Sequence, residues 1–473
     1  MVFSSLIFIF LFLPVQLLAY YIVPKKWKNA ILLIFSLLFY AWAGPVYLLI
    51  LTGEAAISWY FALRIEKSDG SQKKWFVAAV TILIAVLIVF KYLAFAANTI
   101  NVLLGIVGLP SVLVPAIALP IGISFYTFQL ISYLADVYKR EVSANKHYVQ
   151  LLLYCSLFHQ CIAGPIVRYE TVNSEIEHRE VSLDEFYAGI WRFSIGLAKK
   201  AVLANSVAKL VDDICGDGIS TLASQSVGAL WLMALCYTLQ IYLDFSAYSD
   251  MALGMGQMVG FHYLENFNYP YISTSVKEFW KRWHMSLSSF FRDYVYIPLG
   301  GSRVGKVRYI FNLFVVWALT GLWHGASMNF VLWGLYYFVW LIIEKFVFKD
   351  KQIKGLGNIY TLFVVVIGWV IFKFDNISEL TLVLKAMFGL GTGEVWNLAA
   401  TTMIKSNMFL LIVCAIACTP LFKIGMERLK NSEKKQSVVA VSVIEVVLPP
   451  LLVVLSTLAL VGNSYNPFLY FRF

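Results

Sequence analysis

The sequence contains few charged residues. Asp, Glu, Lys and Arg make up only 14% of its 473 residues, whereas 60% are hydrophobic. An average soluble domain carries about 25% charged residues, so a chain of this length could not cover soluble domains with so few. This shortage excludes soluble enzymes and nucleic-acid-binding modules. The net charge of +10 is therefore no sign of a nucleic-acid partner.

Cysteine is also scarce, and the motifs of several reactions are missing. The six cysteines show no CxxC spacing and most stand in apolar sequence, which indicates small buried side chains rather than a disulfide framework or a zinc site. The sequence has no P-loop, GxSxG, HExxH or Rossmann glycine pattern. It gives no support to ATP-driven transport, serine hydrolysis or metal catalysis, and we expect no permanently bound cofactor and no metal.

Long apolar runs are abundant instead. Runs of about 20 residues, enough for a helix to cross a hydrocarbon core of about 30 Å, recur along the chain and predict an all-α polytopic membrane protein with about eleven crossings. The first run has neither a basic start nor a small-residue cleavage site, so we expect an uncleaved span. Five later runs are expected to span the membrane: about 309–326, 328–347, 357–374, 407–424 and 437–461.

The spacing of these runs divides the chain into three parts. Residues 1–147 hold regular spans, residues 148–330 hold shorter interrupted runs, and residues 331–473 hold regular spans followed by an FLYFRF tail. Interrupted helices at membrane depth are tolerated where they are buried in protein or line a cavity, so the middle part is expected to be a core with re-entrant and interfacial helices. We expect its acidic segment, 170–185, to be a solvated loop.

Basic residues predict the orientation in the membrane. Counting crossings places three basic clusters on one side, which the positive-inside rule assigns to the cytoplasm, with the N-terminus outside. The clusters are Lys25, Lys26 and Lys28, then Arg64, Lys67, Lys73 and Lys74, then Lys139, Arg140 and Lys146.

His324 is the main candidate for catalysis. It stands in LTGLWHGASMNF, between apolar runs, where a charged ring would be costly. Burial favours the neutral imidazole that a general base needs. Gly321 and Gly325, four residues apart, would let another helix approach closely. A packing histidine that donates to a neighbouring carbonyl group explains the pattern equally well.

His284, the second candidate, stands in the basic and aromatic stretch KEFWKRWHMSLSSFF. As one helix, this stretch would place Lys277, Lys281 and His284 on one face and most aromatic rings on the other, as in an interfacial helix. With Arg282 and Arg303 nearby, this face could form a cytoplasmic funnel for an anionic donor such as coenzyme A. Contact with lipid headgroups is the simpler explanation.

Other polar residues are expected to have structural roles. Asp244 and Asp250 lie among small and apolar residues, so we expect them to pair with a Lys or Arg of the following segment or to orient a histidine. His159 and His262 are expected to be structural or interfacial. The polar residues of 120–140 could line a tunnel, but helix packing is the favoured role.

Several motifs together resemble one protein family. They are MVFSSLIFIFLFLP, PIGISFYTFQLISYLADVY, AGPIVRYE, QIYLDFSAYSDMALG, ENFNYPYISTSVKEFWKRWHMSLSSFFRDYVYIPLGGSR, LTGLWHGASMNFVLWG and the terminal NPFLYFRF. In this order they resemble the membrane-bound O-acyltransferases (MBOAT), in the branch of AlgI, PatA and DltB, and most of all the AlgI-type polysaccharide O-acetyltransferases. The resemblance covers nearly the whole chain and implies a helical fold around a central tunnel.

The resemblance also implies roles for particular residues. His324, in the LWHG motif, would be catalytic, and His284 would be the second signature histidine. An acetyl group would pass from cytoplasmic acetyl-CoA across the bacterial inner membrane to an exported polysaccharide, such as alginate or peptidoglycan. A periplasmic or extracellular SGNH-type protein would be the partner. Tyr470 matches a tail tyrosine proposed to carry the acyl group in the D-alanylation branch.

Three alternatives remain open at this point. D-alanyl or another acyl group could be transferred by the same fold. A secondary transporter or flippase with proton-relaying histidines is the competing class, although no internal repeat of the transporter kind is visible. For the tail, the alternative to an acyl carrier is an aromatic membrane anchor, with Arg472 reaching the headgroups.

Overall fold

The structure, a computed structural model, describes residues 1–42, 44–162, 164–351, 355–391, 394–432 and 434–462. The chain is 75% helix, and these described ranges contain no β-strand. The predicted all-α class is therefore confirmed. The chain divides into two compact units. It passes from one unit to the other within helix Leu183–Ala198, within helix Val227–Met258 and after Leu264.

The first unit comprises residues 1–189 and 252–264. Its α-helices are Leu13–Ile22, Lys28–Ala41, Tyr47–Lys67, Gln72–Leu87, Leu93–Ile106, Ile123–Tyr138, Tyr148–Ser156, Phe158–Cys161 and Tyr169–Glu177. Thirteen of the sixteen residues of Ile123–Tyr138 are buried. Thr127 donates to the Glu54 carboxylate at 2.7 Å, and Lys91 donates to Ser124 at 3.2 Å. These polar residues therefore join neighbouring helices, since a buried polar group must find a hydrogen-bond partner.

The second unit comprises residues 190–251 and the described part of 265–473. Its α-helices are Asn205–Cys215, Ile219–Ser224, Val276–Arg282, Met285–Phe291, Lys306–His324, Met328–Phe346, Gly357–Lys373, Ile377–Met387, Leu398–Ser406, Met408–Ala417, Leu421–Lys430 and Lys435–Val461. Aromatic residues of several of these helices meet in its core. Trp283, Trp333 and Trp369 are all almost fully buried there.

Two glycines bring the helices Lys306–His324 and Met328–Phe346 into close contact. A Cβ atom on Gly321 would overlap the carbonyl oxygen of Phe330, and one on Gly334 would overlap that of Trp317. The predicted close approach at Gly321 is confirmed, but its partner is Gly334 of the next helix. Gly325 lies beyond the helix end in extended backbone (φ −178°), so it does not extend the glycine pair.

Four described helices are long and apolar enough to cross a membrane: Tyr47–Lys67, Gln72–Ile106, Val227–Met258 and Gln436–Val461. The helices Leu398–Ser406 and Met408–Ala417 meet this criterion together but are bent by 63°. Shorter apolar helices include Phe8–Ile22 and Gly357–Lys373. The multi-pass membrane class is thus confirmed, whereas about eleven crossings and the three-part division of the chain stay predictions.

Two sequence-based expectations of local structure are wrong. Much of the acidic segment 170–185 is helical, in Tyr169–Glu177, because Tyr169, Val172 and Ile176 recur at helical spacing and are buried. The expected single span 407–424 is interrupted between Ala417 and Leu421. Pro420 explains the interruption, since proline lacks the N–H that a continuing helix requires.

Candidate active site

His324 is enclosed by aromatic side chains at the end of helix Lys306–His324. Its exposed fraction is 4%. The imidazole meets the Trp333 ring edge-on, with centroids 4.8 Å apart, and the Phe372 ring at 5.3 Å. Trp323, the preceding residue, contacts it at 5.0 Å. The helix ends here and Gly325 continues as extended chain, so His324 lies where a helix gives way to irregular backbone within the core.

His284 lies at a break between two short helices, which corrects the expectation of one continuous helix. Val276–Arg282 ends before Trp283, and Met285–Phe291 begins after His284. Trp283 is extended, and His284 adopts the left-handed conformation with φ 43° and ψ 55°. This break turns the imidazole inward, so His284 is only 1% exposed and does not share the solvent-facing side of Lys277 and Lys281.

The backbone on both sides of this break is held by the segment that precedes it. The backbone N–H of Met285 donates to the backbone carbonyl oxygen of Asn266 at 2.9 Å. The backbone N–H of Asn268 donates to the backbone carbonyl oxygen of Arg282, also at 2.9 Å. Asn266 therefore fixes the chain beside His284. A non-glycine residue with positive φ is uncommon, and such strained positions cluster at functional sites.

A polar network surrounds the His284 ring. Its Nδ1 lies 3.1 Å from Asn266 Oδ1. The same oxygen accepts from the Ser286 N–H at 3.2 Å and from the Ser286 hydroxyl at 2.9 Å, while Asn266 Nδ2 donates to Ser249 Oγ at 3.2 Å. Burial lowers the pKa of His284, which lies outside the four long span helices, to about 3. The ring is therefore neutral near pH 7.

Trp323 brings the two candidate histidines into one site. Its ring centroid lies 5.6 Å from that of His284 and 5.0 Å from that of His324. The sequence separates the histidines by forty residues and gives no indication of this shared neighbour. Two imidazoles and an indole thus form one aromatic cluster, the candidate site of the second unit.

The predicted basic helix is amphipathic, as expected. In Val276–Arg282, Phe279 and Trp280 are buried, whereas Lys277 and Lys281 are exposed. Trp280 contacts Trp333 at 5.4 Å between centroids, and Trp333 in turn contacts His324. The basic surface is thus connected to the candidate catalytic residue through two indole rings.

A buried carboxylate holds the start of this helix. Glu344 accepts from the N–H groups of Val276 and Lys277 at 2.6 and 2.9 Å. These N–H groups have no partner within the helix, and the helix dipole favours a negative charge there. Glu344 therefore fixes the position of the basic residues, a role that its place in an apolar run did not suggest.

The four residues predicted to bind the donor fall into two classes. Lys277 forms an ion pair with Asp350 at 3.1 Å, and Arg282 forms one with Glu278 at 3.0 Å. Burial raises the pKa of Glu278, but hydrogen bonds from Thr274 and Arg282 outweigh it and hold this pKa below its usual range. Lys281 and Arg303 are exposed and have no ion pair within the described ranges. These two cations are therefore the ones available to an anionic ligand.

Asp244 and Asp250 form the expected ion pairs, but their partners precede them in the chain. Lys200 binds Asp244 at 2.6 Å, and Lys199 binds Asp250 at 2.7 Å. Arg192 also binds Asp250, at 3.0 Å. The π-helical turn Lys199–Ala204 begins with the two adjacent lysines, and both reach helix Val227–Met258. The expected partners in the following segment are therefore wrong.

A polar cavity of about 510 Å³ adjoins the His284 network. Ser249 and Asn266 line it, together with the ion-paired residues Arg192, Lys199 and Asp250. Arg192 also binds Glu265, at 2.6 Å. Because these lining cations and carboxylates are paired, much of their charge cancels. The cavity lining therefore presents hydrogen-bonding groups more than net charge.

The other described histidines with assigned contacts have structural positions. His159 is fully buried and its Nδ1 lies 3.1 Å from the Tyr263 hydroxyl. His262 is half-exposed and pairs with Glu175 at 2.8 Å and Glu185 at 3.3 Å. Burial lowers the pKa of His262, but the hydrogen bonds and charges of these carboxylates outweigh it, so this pKa is raised. Tyr470, the predicted acyl carrier, lies outside the described residues.

Several residues of the site escaped the sequence analysis. Asn266, Ser249 and Ser286 are common polar residues, and Trp323 and Trp333 are two of fourteen tryptophans. The motif ENFNYP contains Asn266 but gives no reason to connect it with a histidine eighteen positions later. Only the left-handed break at His284 turns the imidazole towards this segment.

Comparison with known proteins places this chain in a family. Residues 137–381 match the model of MBOAT, the membrane-bound O-acyltransferase family, and this range contains both histidines and Asn266. The probable alginate O-acetylase AlgI of Pseudomonas aeruginosa is 40% identical over 404 residues, which cover 84% of this chain and 77% of that protein. The peptidoglycan O-acetyltransferase of Helicobacter pylori is 31% identical over 527 residues, covering 100% of this chain and 98% of that protein.

A more distant relative comes from another bacterium. The teichoic acid D-alanyltransferase of Bacillus subtilis is 28% identical over 250 residues, which cover 50% of this chain and 62% of that protein. The family match covers more than half of the chain, and the matches to the O-acetyltransferases extend over most or all of it. This chain therefore belongs to the membrane-bound O-acyltransferase family and is a multi-pass membrane O-acyltransferase.

Proposed function

We propose that this protein transfers an acetyl group from cytoplasmic acetyl-CoA across the bacterial inner membrane for O-acetylation of an exported polysaccharide. The observation that carries the proposal is the pair of buried histidines around Trp323, in a chain 40% identical to a probable alginate O-acetylase. The relatives named as alginate O-acetylase and peptidoglycan O-acetyltransferase support polysaccharide as the final acceptor.

The basic surface supports coenzyme A as the donor's carrier. Lys281 and Arg303 offer exposed cations for its phosphates, and charge-assisted contacts to phosphate are among the stronger hydrogen bonds in proteins. Trp280 and Trp333 connect this surface with His324. Acetyl-CoA acts here as a substrate that enters and leaves, not as a permanently bound cofactor.

The transfer requires a base and a dry site. His324 takes the proton of the acceptor hydroxyl while the oxygen of that hydroxyl attacks the thioester carbonyl carbon. The carbon–sulfur bond then breaks, and the departing sulfur receives the proton from the imidazolium, giving an ester and coenzyme A. A positioned base contributes about 10²–10⁴-fold to such a rate. Orientation of thioester and hydroxyl within the aromatic core supplies the rest.

Tyr470 is the proposed intermediate acceptor, and an SGNH-type protein outside the cytoplasm is the proposed final transferase. A phenol has a pKa near 10 and is easier to deprotonate than a sugar hydroxyl. Its ester also transfers the acyl group more readily than an alkyl ester, because phenolate is the better leaving group. The partner would then carry the acetyl group to the polymer.

Mass spectrometry of envelope polysaccharides from cells with and without the gene tests the proposal. We expect O-acetyl groups to be present with the gene, absent without it, and restored by the wild-type gene. If cells without the gene lose D-alanyl groups instead of O-acetyl groups, the protein transfers D-alanine, as the name of the Bacillus subtilis relative states for that protein. Unchanged polysaccharide, together with no release of coenzyme A from acetyl-CoA by purified protein, would exclude acetyl transfer and favour a transporter.

A further inference from the structure

We infer that Asn266 is a positioning residue that holds His284 as the Nδ1–H tautomer, so that Nε2 carries the lone pair and is the nitrogen that accepts a hydrogen bond during acyl transfer. This inference rests on the proposed function for the reaction concerned. The assignment of the tautomer rests on the hydrogen bonds of the His284 network alone. It gives the second histidine a defined role as a hydrogen-bond acceptor, beside the general base His324.

The orientation of the Asn266 amide follows from a donor whose identity is certain. The backbone N–H of Ser286 can only donate, and it points at the Asn266 side-chain atom 3.2 Å away. That atom must therefore be the oxygen, Oδ1, and not the amide nitrogen. The amide nitrogen on the other side donates to Ser249 Oγ at 3.2 Å, which agrees with this orientation.

The tautomer of His284 follows from the amide orientation. The Ser286 hydroxyl also lies 3.4 Å from His284 Nδ1, but it donates its hydrogen to Asn266 Oδ1 over the shorter distance of 2.9 Å. Asn266 Oδ1 can only accept, so the hydrogen in its 3.1 Å contact with His284 Nδ1 is carried by Nδ1. A neutral imidazole with a hydrogen on Nδ1 carries its lone pair on Nε2. The hydrogen bond to Asn266 therefore determines that Nε2, and not Nδ1, is the ring nitrogen that can accept a hydrogen bond.

The ring is also restrained in orientation. Phe245 meets it at 90° with centroids 4.8 Å apart, and Trp323 meets it at 62° and 5.6 Å. The Asn266 carbonyl oxygen accepts from Met285 N–H at 2.9 Å, so Asn266 controls both the backbone after His284 and the imidazole. A group that contacts the reacting molecules must keep a fixed geometry, and its misplacement reduces the rate strongly.

Three variants of the full-length protein separate positioning from folding. Asn266→Leu keeps the approximate shape but removes the acceptor. Asn266→Asp keeps an oxygen acceptor in the same place. Asn98→Leu is the control, because Asn98 is an exposed asparagine of the first unit, far along the chain from this network. Membrane abundance and detergent solubility of each variant report folding.

The kinetic result follows from the tautomer. We expect Asn266→Leu to lower kcat for acetyl transfer from acetyl-CoA by about 10²-fold, the cost of a misplaced group in an active site, with little change in KM. Asn266→Asp should keep most of the turnover that Asn266→Leu loses, and Asn98→Leu should match the wild type. Wild-type turnover of Asn266→Leu would overturn the inference, as would equal losses in the Leu and Asp variants.

A spectroscopic measurement tests the tautomer without any activity. In protein labelled with ¹⁵N-histidine, the signals lost in His284→Gln belong to His284. We expect them to report an Nδ1–H ring in the wild type and in Asn266→Asp, and a different tautomer or a mixture in Asn266→Leu. An Nε2–H ring in the wild type would overturn the inference. If the wild type shows the Nδ1–H ring but no acetyl transfer, the proposed function fails while the role of Asn266 in fixing the tautomer stands.

Discussion

The indole of Trp323 lies against the imidazole of His284, with ring centroids 5.6 Å apart and planes inclined by 62°. The same indole contacts His324 at 5.0 Å. Edge-to-face contacts of this kind fix ring positions as well as bury apolar surface. The two histidines therefore belong to one site. A substitution of either histidine also removes its contact with the indole between them, and this loss must be considered when the effect of the substitution is interpreted.

Replacement of His324 by alanine should abolish polysaccharide O-acetylation while the protein still inserts into the membrane. Loss of a general base costs about 10²–10⁴-fold in rate, which would leave acetylation near background. Acetyl groups are measured by mass spectrometry, and protein abundance by immunoblotting of membranes. His178→Ala, at an exposed histidine, is the control and should behave as wild type. A well-expressed His324→Ala variant with normal acetylation would remove His324 from the mechanism.

Charge reversal at Lys281 and Arg303 together should raise the KM for acetyl-CoA more than it lowers kcat. These exposed cations would meet donor phosphates, and reversal replaces attraction with repulsion. Added salt should reduce the difference in KM between the variant and the wild type, because it screens the attraction in the wild type and the repulsion in the variant. The double reversal Lys73→Glu and Lys74→Glu, also at exposed sites, should leave KM unchanged. Equal KM values for both double variants would argue against a donor site on this surface.

Gly321→Ala should destabilise the protein, because its Cβ atom would overlap the Phe330 carbonyl oxygen in the next helix. Overpacking of this kind costs about 1–3 kcal/mol. The control is Gly53→Ala, since nothing lies within 4 Å of a Cβ atom there and alanine in a helix gains about 0.5–1 kcal/mol over glycine. Thermal unfolding in detergent should show a lower Tm for Gly321→Ala only. A Tm unchanged by both substitutions would mean that the helices adjust without cost.

The ion pairs of His262 should stabilise the protein more at low than at high pH. Because Glu175 and Glu185 raise the pKa of His262 above its unfolded value, their contribution is fully present below about pH 6.5 and is lost as the pH rises through the folded-state pKa. His262→Gln should therefore lower Tm at pH 6 and have less effect at pH 9. The side chain is half-exposed, so solvent screening limits the effect to less than about 1 kcal/mol. The same Tm difference at both pH values would contradict a contribution from protonation.

Tyr470→Phe tests the proposed relay through the C-terminal tail. The substitution keeps the aromatic ring but removes the hydroxyl oxygen that would carry the acetyl group. A relay predicts nearly complete loss of polymer acetylation at normal membrane abundance. An aromatic membrane anchor predicts almost no change, since the ring remains. Tyr465→Phe, in the same tail, is the matched control and should leave acetylation intact.

Much of the architecture could be predicted from the sequence because hydrophobicity is a property of runs of residues. Low charge and long apolar runs indicated a helical membrane protein, and the amphipathic pattern of Val276–Arg282 indicated a buried aromatic side and an exposed basic side. The close approach at Gly321 was also visible as a small residue in an apolar helix. The order of the motifs along the chain was sufficient to identify the family.

The sequence by itself thus determined the class of protein, the two candidate histidines and the acyl-transfer chemistry of its family. Only the tertiary structure decided that a left-handed residue would interrupt the basic helix at His284, and that Trp323 would contact both imidazoles. It also decided that Gly334 would be the partner of Gly321. The physical reason is that the tautomer, the ring orientation and the ion pairs depend on contacts between residues distant in the chain. The spacing of apolar residues in the sequence indicates only which side of a single helix is apolar.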